Sequence, residues 1–246
     1  MISRAFTFLL ALLSLSAPLA AQTIDFQTLF PAGDASVSGR IVQLLVVMTV
    51  LSVAPGLMMM VTSFARFLIA FSFLRAGLGL QTTPNNLILV SLALFMTLFV
   101  MAPTFQEAWD NGVKPMVENK ISQEDGYTRT TAPFRTFMKA NVRDKDLELF
   151  AQMSAERFGT QNKAGPDDLR ILIPAFMVSE LRRGFEIGFL VTLPFLVIDL
   201  VVATIMTAMG MMMMPPTVVA LPLKVLFFVL VDGWSLLVGA LVKSFT

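Results

Sequence analysis

Ile41 to Phe64, Leu87 to Met101, Gly184 to Met214 and Thr217 to Val242 are four long, apolar runs with almost no charge. No other feature restricts the possible folds of this chain as strongly. A weakly charged apolar stretch of about 18 residues or more reads as a helix able to cross a bilayer. In lipid, every backbone N–H and C=O must find its partner within the segment or in a closed barrel. Charge is gathered elsewhere: residues 104–184 hold twelve of the 18 Lys and Arg and twelve of the 17 Asp and Glu. The pattern predicts an all-α chain of membrane-associated helical hairpins with one polar helical domain.

Residues 1–21 have the form of a signal peptide. Arg4 gives the positive start, Phe6 to Leu15 the short apolar stretch, and "APLAAQ" a small-residue cleavage site near Ala20 or Ala21. Residues 22–40 then form an N-terminal periplasmic segment. Residues 41–103 form the first apolar hairpin, with its tip near 65–84. Residues 104–184 form the polar periplasmic domain, and residues 185–246 the second hairpin, with a Met-rich tip. Arg66 and Arg75 at the first tip agree with a cytoplasmic location under the positive-inside rule. Within the polar domain, "KDLELFAQMSAERF" (145–158) has apolar residues at helical spacing, and "GPDDLRILIPAF" (165–176) opens another helix. Pro55-Gly56, Pro194, Gly210, Pro222 and Gly233 interrupt the apolar runs. Broken helices at membrane depth are tolerated where protein or water surrounds them, so these breakers favour an assembly around a cavity.

The chain has no cysteine and no histidine. This excludes disulfides, thiolate chemistry, Ser–His or Cys–His catalysis and the usual zinc sites. The near-zero net charge gives no reason to expect nucleic acid. No cofactor and no metal site are expected, and "RAGLGLQ" (75–81) has no lysine to make a phosphate loop.

Asp199, Lys224 and Asp232 lie inside apolar runs, where each costs about 2.5–3.5 kcal/mol unless paired or wetted. They read as an ion pair fixing register, as a proton or ion relay, or as water-exposed groups. Counted from the Met-Pro turn at ~1.5 Å per residue, Asp199 lies about 18–24 Å along its helix, Asp232 about 24 Å and Lys224 about 12 Å. In one straight hairpin Asp199 then faces Asp232, and a pair with Lys224 needs a staggered neighbour or a helix shortened by Pro222. Two level aspartates also raise an intramembrane protease, but "VLV" precedes Asp232 where the Gly-x-Gly-Asp motif of such enzymes would stand. Glu180, with Arg182 and Arg183, reads as a solvated face or a subunit contact. Arg66, Arg75 and Asp232 are likewise candidates for subunit or hairpin contacts.

"GMMMMPP" (210–216) places Met211, Met212, Met213 and Met214 where two prolines stop the helix. Methionine has a flexible, polarizable side chain that adapts to irregular surroundings. The cluster reads either as core filling or as a soft seal, and Met58–Met60 is a weaker copy.

"PAFMVSELRRGFEIGF" (174–189) and "LPFLVIDLVVATIMTAMGMMMMPP" (193–216) resemble the FliP/SctR family of type III secretion export-gate proteins. "MMMVTSFARFLIAFSFLRAGLGLQTTPNN" (58–86) and "LALFMTLFVMAP" (92–103) extend the resemblance, which covers residues 41–245. The signal peptide and the segment after it are similar to the flagellar branch. The resemblance implies a non-enzymatic channel component of the inner-membrane flagellar export gate, forming a homo-oligomer with FliQ and FliR. It also implies FlhA, FlhB and unfolded flagellar subunits as further partners, with membrane lipid around the assembly. In that setting Met211–Met214 would form a ring of thioethers closing the channel. A proton- or ion-coupled transporter using Asp199, Lys224 and Asp232 is the alternative.

Overall fold

The computed structural model describes residues 37–158, 168–211 and 214–245. The predicted signal peptide, most of the segment after it, Met212 and Met213 lie outside the described residues. The chain divides into two units, residues 1–52 and 53–246. The described residues are helical throughout, without a strand.

A first helix, α1 (Val37–Met60), runs through residues 55–56 without a break. In the larger unit α2 (Phe64–Gly77) follows after a three-residue turn. α3 (Asn86–Ala108) is capped by Asn85, whose side chain accepts from the Leu87 N–H. A π-helical turn, Trp109–Val113, leads into the short α4 (Lys114–Val117). The polar helices are α5 (Gln123–Asn141), capped by Ser122, and α6 (Asp144–Phe158), with Asp144 and Asp146 in its first turn. An acidic first turn suits the positive end of the helix dipole. α7 (Leu169–Ala208) has 40 residues, about 60 Å at the α-helical rise. α8 (Pro216–Leu230) and α9 (Gly233–Lys243) close the unit.

Residues 64–77, expected in the tip of the first hairpin, form a helix of their own, and α2 is the most deeply packed element. Phe67, Ala70, Phe71 and Leu74 on it are buried against α3, α7, α8 and α9, with Leu89, Ala93, Phe195, Phe228, Leu237 and Leu241 completing the core. The turn proper shrinks to residues 78–85. A second cluster, Met138, Leu172 and Phe176, ties α5 to the start of α7. The polar helices therefore share one compact unit with residues 53–103 of the first hairpin and with the second hairpin, and α7 runs unbroken across residues 184–185.

The prolines do not break the helices as expected. Pro103, Pro133, Pro174, Pro194 and Pro222 all lie within helices. A proline removes one hydrogen bond, and neighbouring helices or side-chain groups can re-satisfy the freed carbonyl. Of the expected breakers Gly210, with φ +74°, does end α7, and the break expected at Gly233 falls one residue earlier, at Asp232, with φ 49°. Both adopt the left-handed conformation that ends a helix.

Among the described residues two helical stretches can cross a membrane by length and composition, Asn86–Val117 and Leu169–Ala208. α8 and α9, bent by 64°, make a third if taken as one span. Only 22% of the apolar window in each of the first two is buried within the chain.

Candidate functional site: buried charges and the methionine turn

Arg66 and Glu180 are both completely buried, on α2 and α7. The guanidinium grips the carboxylate with two donors, Nε to Oε2 at 2.9 Å and Nη2 to Oε1. Bidentate pairing of this kind satisfies charge and geometry together. Nη1 donates to the Ser244 carbonyl at 2.9 Å and to its hydroxyl at 2.8 Å. Glu180 is thus not part of a solvated face. Arg182 is the exposed member of that cluster, paired with Glu186 at 2.8 Å.

Lys224 on α8 reaches Asp199 on α7, with Nζ to Oδ2 at 2.6 Å. The same ammonium donates to the Gly77 carbonyl at the end of α2, at 3.0 Å. The lysine is 5% exposed, while the other carboxylate oxygen of Asp199 is buried without a partner in the chain. No staggered neighbour and no shortening at Pro222 is needed. α7 ends at Ala208, three residues before the methionines, so the depth count has a different origin. From Ala208 to Asp199 is nine residues, about 13.5 Å, and from Pro216 to Lys224 eight, about 12 Å. The two are level. Asp232 is not level with either: it is exposed, at the break between α8 and α9.

Arg75, also expected as a contact residue, is half-buried and stays local. Its Nη1 donates to the side chain of Asn86 and, at 3.4 Å, to the Pro84 carbonyl. The structure thus joins Arg66 to Glu180 and Lys224 to Asp199, and leaves Arg75 and Asp232 apart from both pairs.

Met211 is half-buried and packs against Val202, Met206 and Ala220, where α7 and α8 converge. Met214 is 43% exposed. Gly210 turns the chain out of α7, and Pro215-Pro216 starts α8 with a proline in the first turn, where its missing N–H costs nothing.

Two further residues set the site's geometry and were not singled out from sequence. Gly184 and Gly188 face Ile69 and Phe73 across the α2–α7 contact. A Cβ on Gly188 would lie 2.6 Å from the Phe73 ring, and one on Gly184 3.1 Å from Ile69. Their spacing, Gly-x-x-x-Gly, is the pattern that lets apolar helices approach closely, and it was readable in "GFEIG" (184–188). Close approach here is what lets Arg66 reach Glu180. Among the described residues no group of three or more His, Cys, Asp or Glu is placed to hold a metal.

The chain matches the FliP family over residues 47–241. It is 57% identical over 239 residues to the flagellar biosynthetic protein FliP of Rhizobium meliloti (strain 1021), covering 97% of this chain and 98% of that protein. The FliP of Agrobacterium fabrum is 59% identical over 212 residues, 86% of each chain. The FliP of Bacillus subtilis is 43% identical over 221 residues, 90% of this chain and 99% of that one. With the match running from α1 to α9 and including both charge pairs and the methionine turn, the chain belongs to the FliP family.

Proposed function

We propose that this chain is a non-catalytic channel component of the flagellar type III export gate. It assembles with copies of itself and with FliQ and FliR in the inner membrane, beside FlhA and FlhB, and passes unfolded flagellar subunits. The family match over residues 47–241 carries this reading. The side-chain arrangement supports it. The chain buries Arg66, Glu180 and Lys224 and leaves large apolar residues outward, among them Phe95, Phe99, Phe189 and Leu200. Lys224 is held by an acid and a backbone carbonyl, an arrangement suited to fixing helix register rather than to carrying protons. Met211–Met214 supply a closure that adapts to varied chains.

Mass measurement on the detergent-solubilised assembly tests the reading. A single large complex containing FliQ and FliR is expected, and a monomer or small homo-oligomer that leaves both behind would refute it. Met211→Ala with Met214→Ala should raise ion conductance through the assembled complex, because a hydrophobic constriction seals by dewetting and a wider one stays wet. An assembled variant that conducts no more than wild type would reduce these methionines to packing. The polar domain faces the periplasm in this reading. Single cysteines at Tyr127 and Glu148, both exposed in a chain with no other cysteine, should then react with an impermeant thiol reagent in spheroplasts. Reaction only after lysis would reverse the orientation.

A further inference from the structure

Ser244 and Phe245 form the turn after α9, and both close on Arg66. A guanidinium has five N–H donors, and here all five have acceptors. Nε and one Nη2 hydrogen go to Glu180, the other Nη2 hydrogen points to Asn141 Oδ1 at 3.5 Å, and both Nη1 hydrogens go to Ser244. The Phe245 ring covers the remaining face, with its centroid 3.5 Å from Cζ. The same ring lies 5.8 Å from that of Phe67 on α2 and 5.9 Å from that of Phe137 on α5. One buried cation therefore gathers α2, α5, α7 and the turn after α9.

α9 itself is short, with 11 residues, and it joins α8 through Asp232 in a left-handed conformation at a 64° bend. α8 has its own tether, the Lys224–Asp199 pair, on the other side of that bend. The two parts of the second hairpin's outgoing leg, α8 and α9, are thus fastened separately.

We propose that the Ser244–Phe245 turn is a latch that holds α9 to α2 through Arg66 and so couples the second hairpin to the polar helices. With the latch open, two donors of a buried cation lose their acceptors and its aromatic cover is removed. α9 is then held only by its core residues, Leu237 and Leu241, and moves about Asp232 more readily while α8 stays in place. Opening is a local event of the kind that amide hydrogen exchange reports.

The test is hydrogen exchange on the full chain in detergent. Ser244→Ala with Phe245→Ala removes a charge-assisted hydrogen bond and the cation–π interaction together, so exchange of the α9 amides should speed up by about tenfold or more. The α8 amides should change by less than about twofold, since their tether is untouched. Unchanged α9 exchange, or equal acceleration of α8 and α9, would overturn the latch. If the double variant does not accumulate, Phe245→Leu keeps apolar bulk and removes only the cation–π interaction. It should accelerate α9 exchange by about threefold, and no change would overturn the proposal. In an Arg66→Met background Ser244→Ala should add nothing. A further loss there would show that Ser244 acts by another route and would also overturn it.

Discussion

Arg66→Met isolates the contribution of the buried pair. The side chain stays long and apolar, so packing volume is largely kept, but Glu180 is left fully buried without its cation. Breaking a buried pair on one side costs about 3–5 kcal/mol, because the remaining charge is uncompensated. Ser244 and Asn141 lose a donor as well, and each unsatisfied buried group costs about 1–3 kcal/mol where water cannot replace it. Against a typical stability of about 5–15 kcal/mol, the single variant should lose a third or more of the total. Arg66→Met with Glu180→Leu removes both charges and should recover at least half of that loss, since apolar replacements of whole buried pairs are often neutral. The assay is unfolding in mixed micelles by dodecyl sulfate titration, followed by circular dichroism, for wild type, both single variants and the double. A loss below about 1 kcal/mol in Arg66→Met would mean the pair is not sealed from solvent, and additive losses in the double variant would mean the two charges are not coupled.

Three further outcomes follow from the same geometry. Gly188→Val should destabilise the α2–α7 contact by about 1–3 kcal/mol through overpacking against Phe73, whereas Gly239→Ala, with no neighbour within 4 Å of the added carbon, should be neutral in the same titration. Lys224→Met should lower the yield of assembled complex in gel filtration, and adding Asp199→Asn should restore part of it, because the uncompensated carboxylate is gone. The Asp168 carboxyl at the N-cap of α7 accepts from the Arg170 side chain and backbone N–H, which holds its pKa at about 2 against an ordinary 3.8. The folded pKa lies below the unfolded one, so its stabilisation is full above pH 3.8 and is lost as pH falls toward 2. Protection of the Ile171 and Leu172 amides, measured against their intrinsic exchange rates, should fall across that window, and in Asp168→Asn, which keeps the cap, that fall should be absent.

The helical class and the apolar segments are legible because period and hydropathy are local properties, visible without knowing what a helix touches. The depth of a side chain is not local. Asp199 and Lys224 look staggered when counted from the methionines and are level once α7 is seen to end at Ala208. That end is set by Gly210, whose positive φ only glycine adopts easily, in a run of methionines that would otherwise continue a helix. Prolines mislead in the opposite direction. The cost of one lost hydrogen bond is visible in sequence, while the long packed helix that absorbs it at Pro174 and Pro194 is not. Arg66 and Glu180 are each readable as contact residues, yet their pairing joins positions 114 residues apart, and no local pattern specifies it. α2 is misread as a tip because Arg66 and Arg75 make it look solvated. One of the two is buried with an acceptor for every donor, and the other is half-buried at its end.

α7 carries the strongest consequence of this arrangement. Its exposed ion pair, Arg182 with Glu186, is followed along the helix by one charged residue, Asp199, which is held by Lys224. From Ile187 to Ala208 the helix continues for 22 residues, about 33 Å, enough for the ~30 Å hydrocarbon layer. The residues before the pair are tied to α5 and α6 by Leu172, Phe176 and the Ser179 hydroxyl, which donates to Asp146. One continuous helix thus begins among the polar helices and ends at the methionine turn. A hinge needs a few residues able to absorb a change in φ and ψ. Along α7 Gly184 and Gly188 are locked against α2, and Pro194 has Phe195 beside it in the core, so none is placed to act as one. α7 therefore joins the polar helices to the methionine turn as one unbroken helix, and the residue that turns the chain out of it is Gly210, left-handed and immediately before Met211.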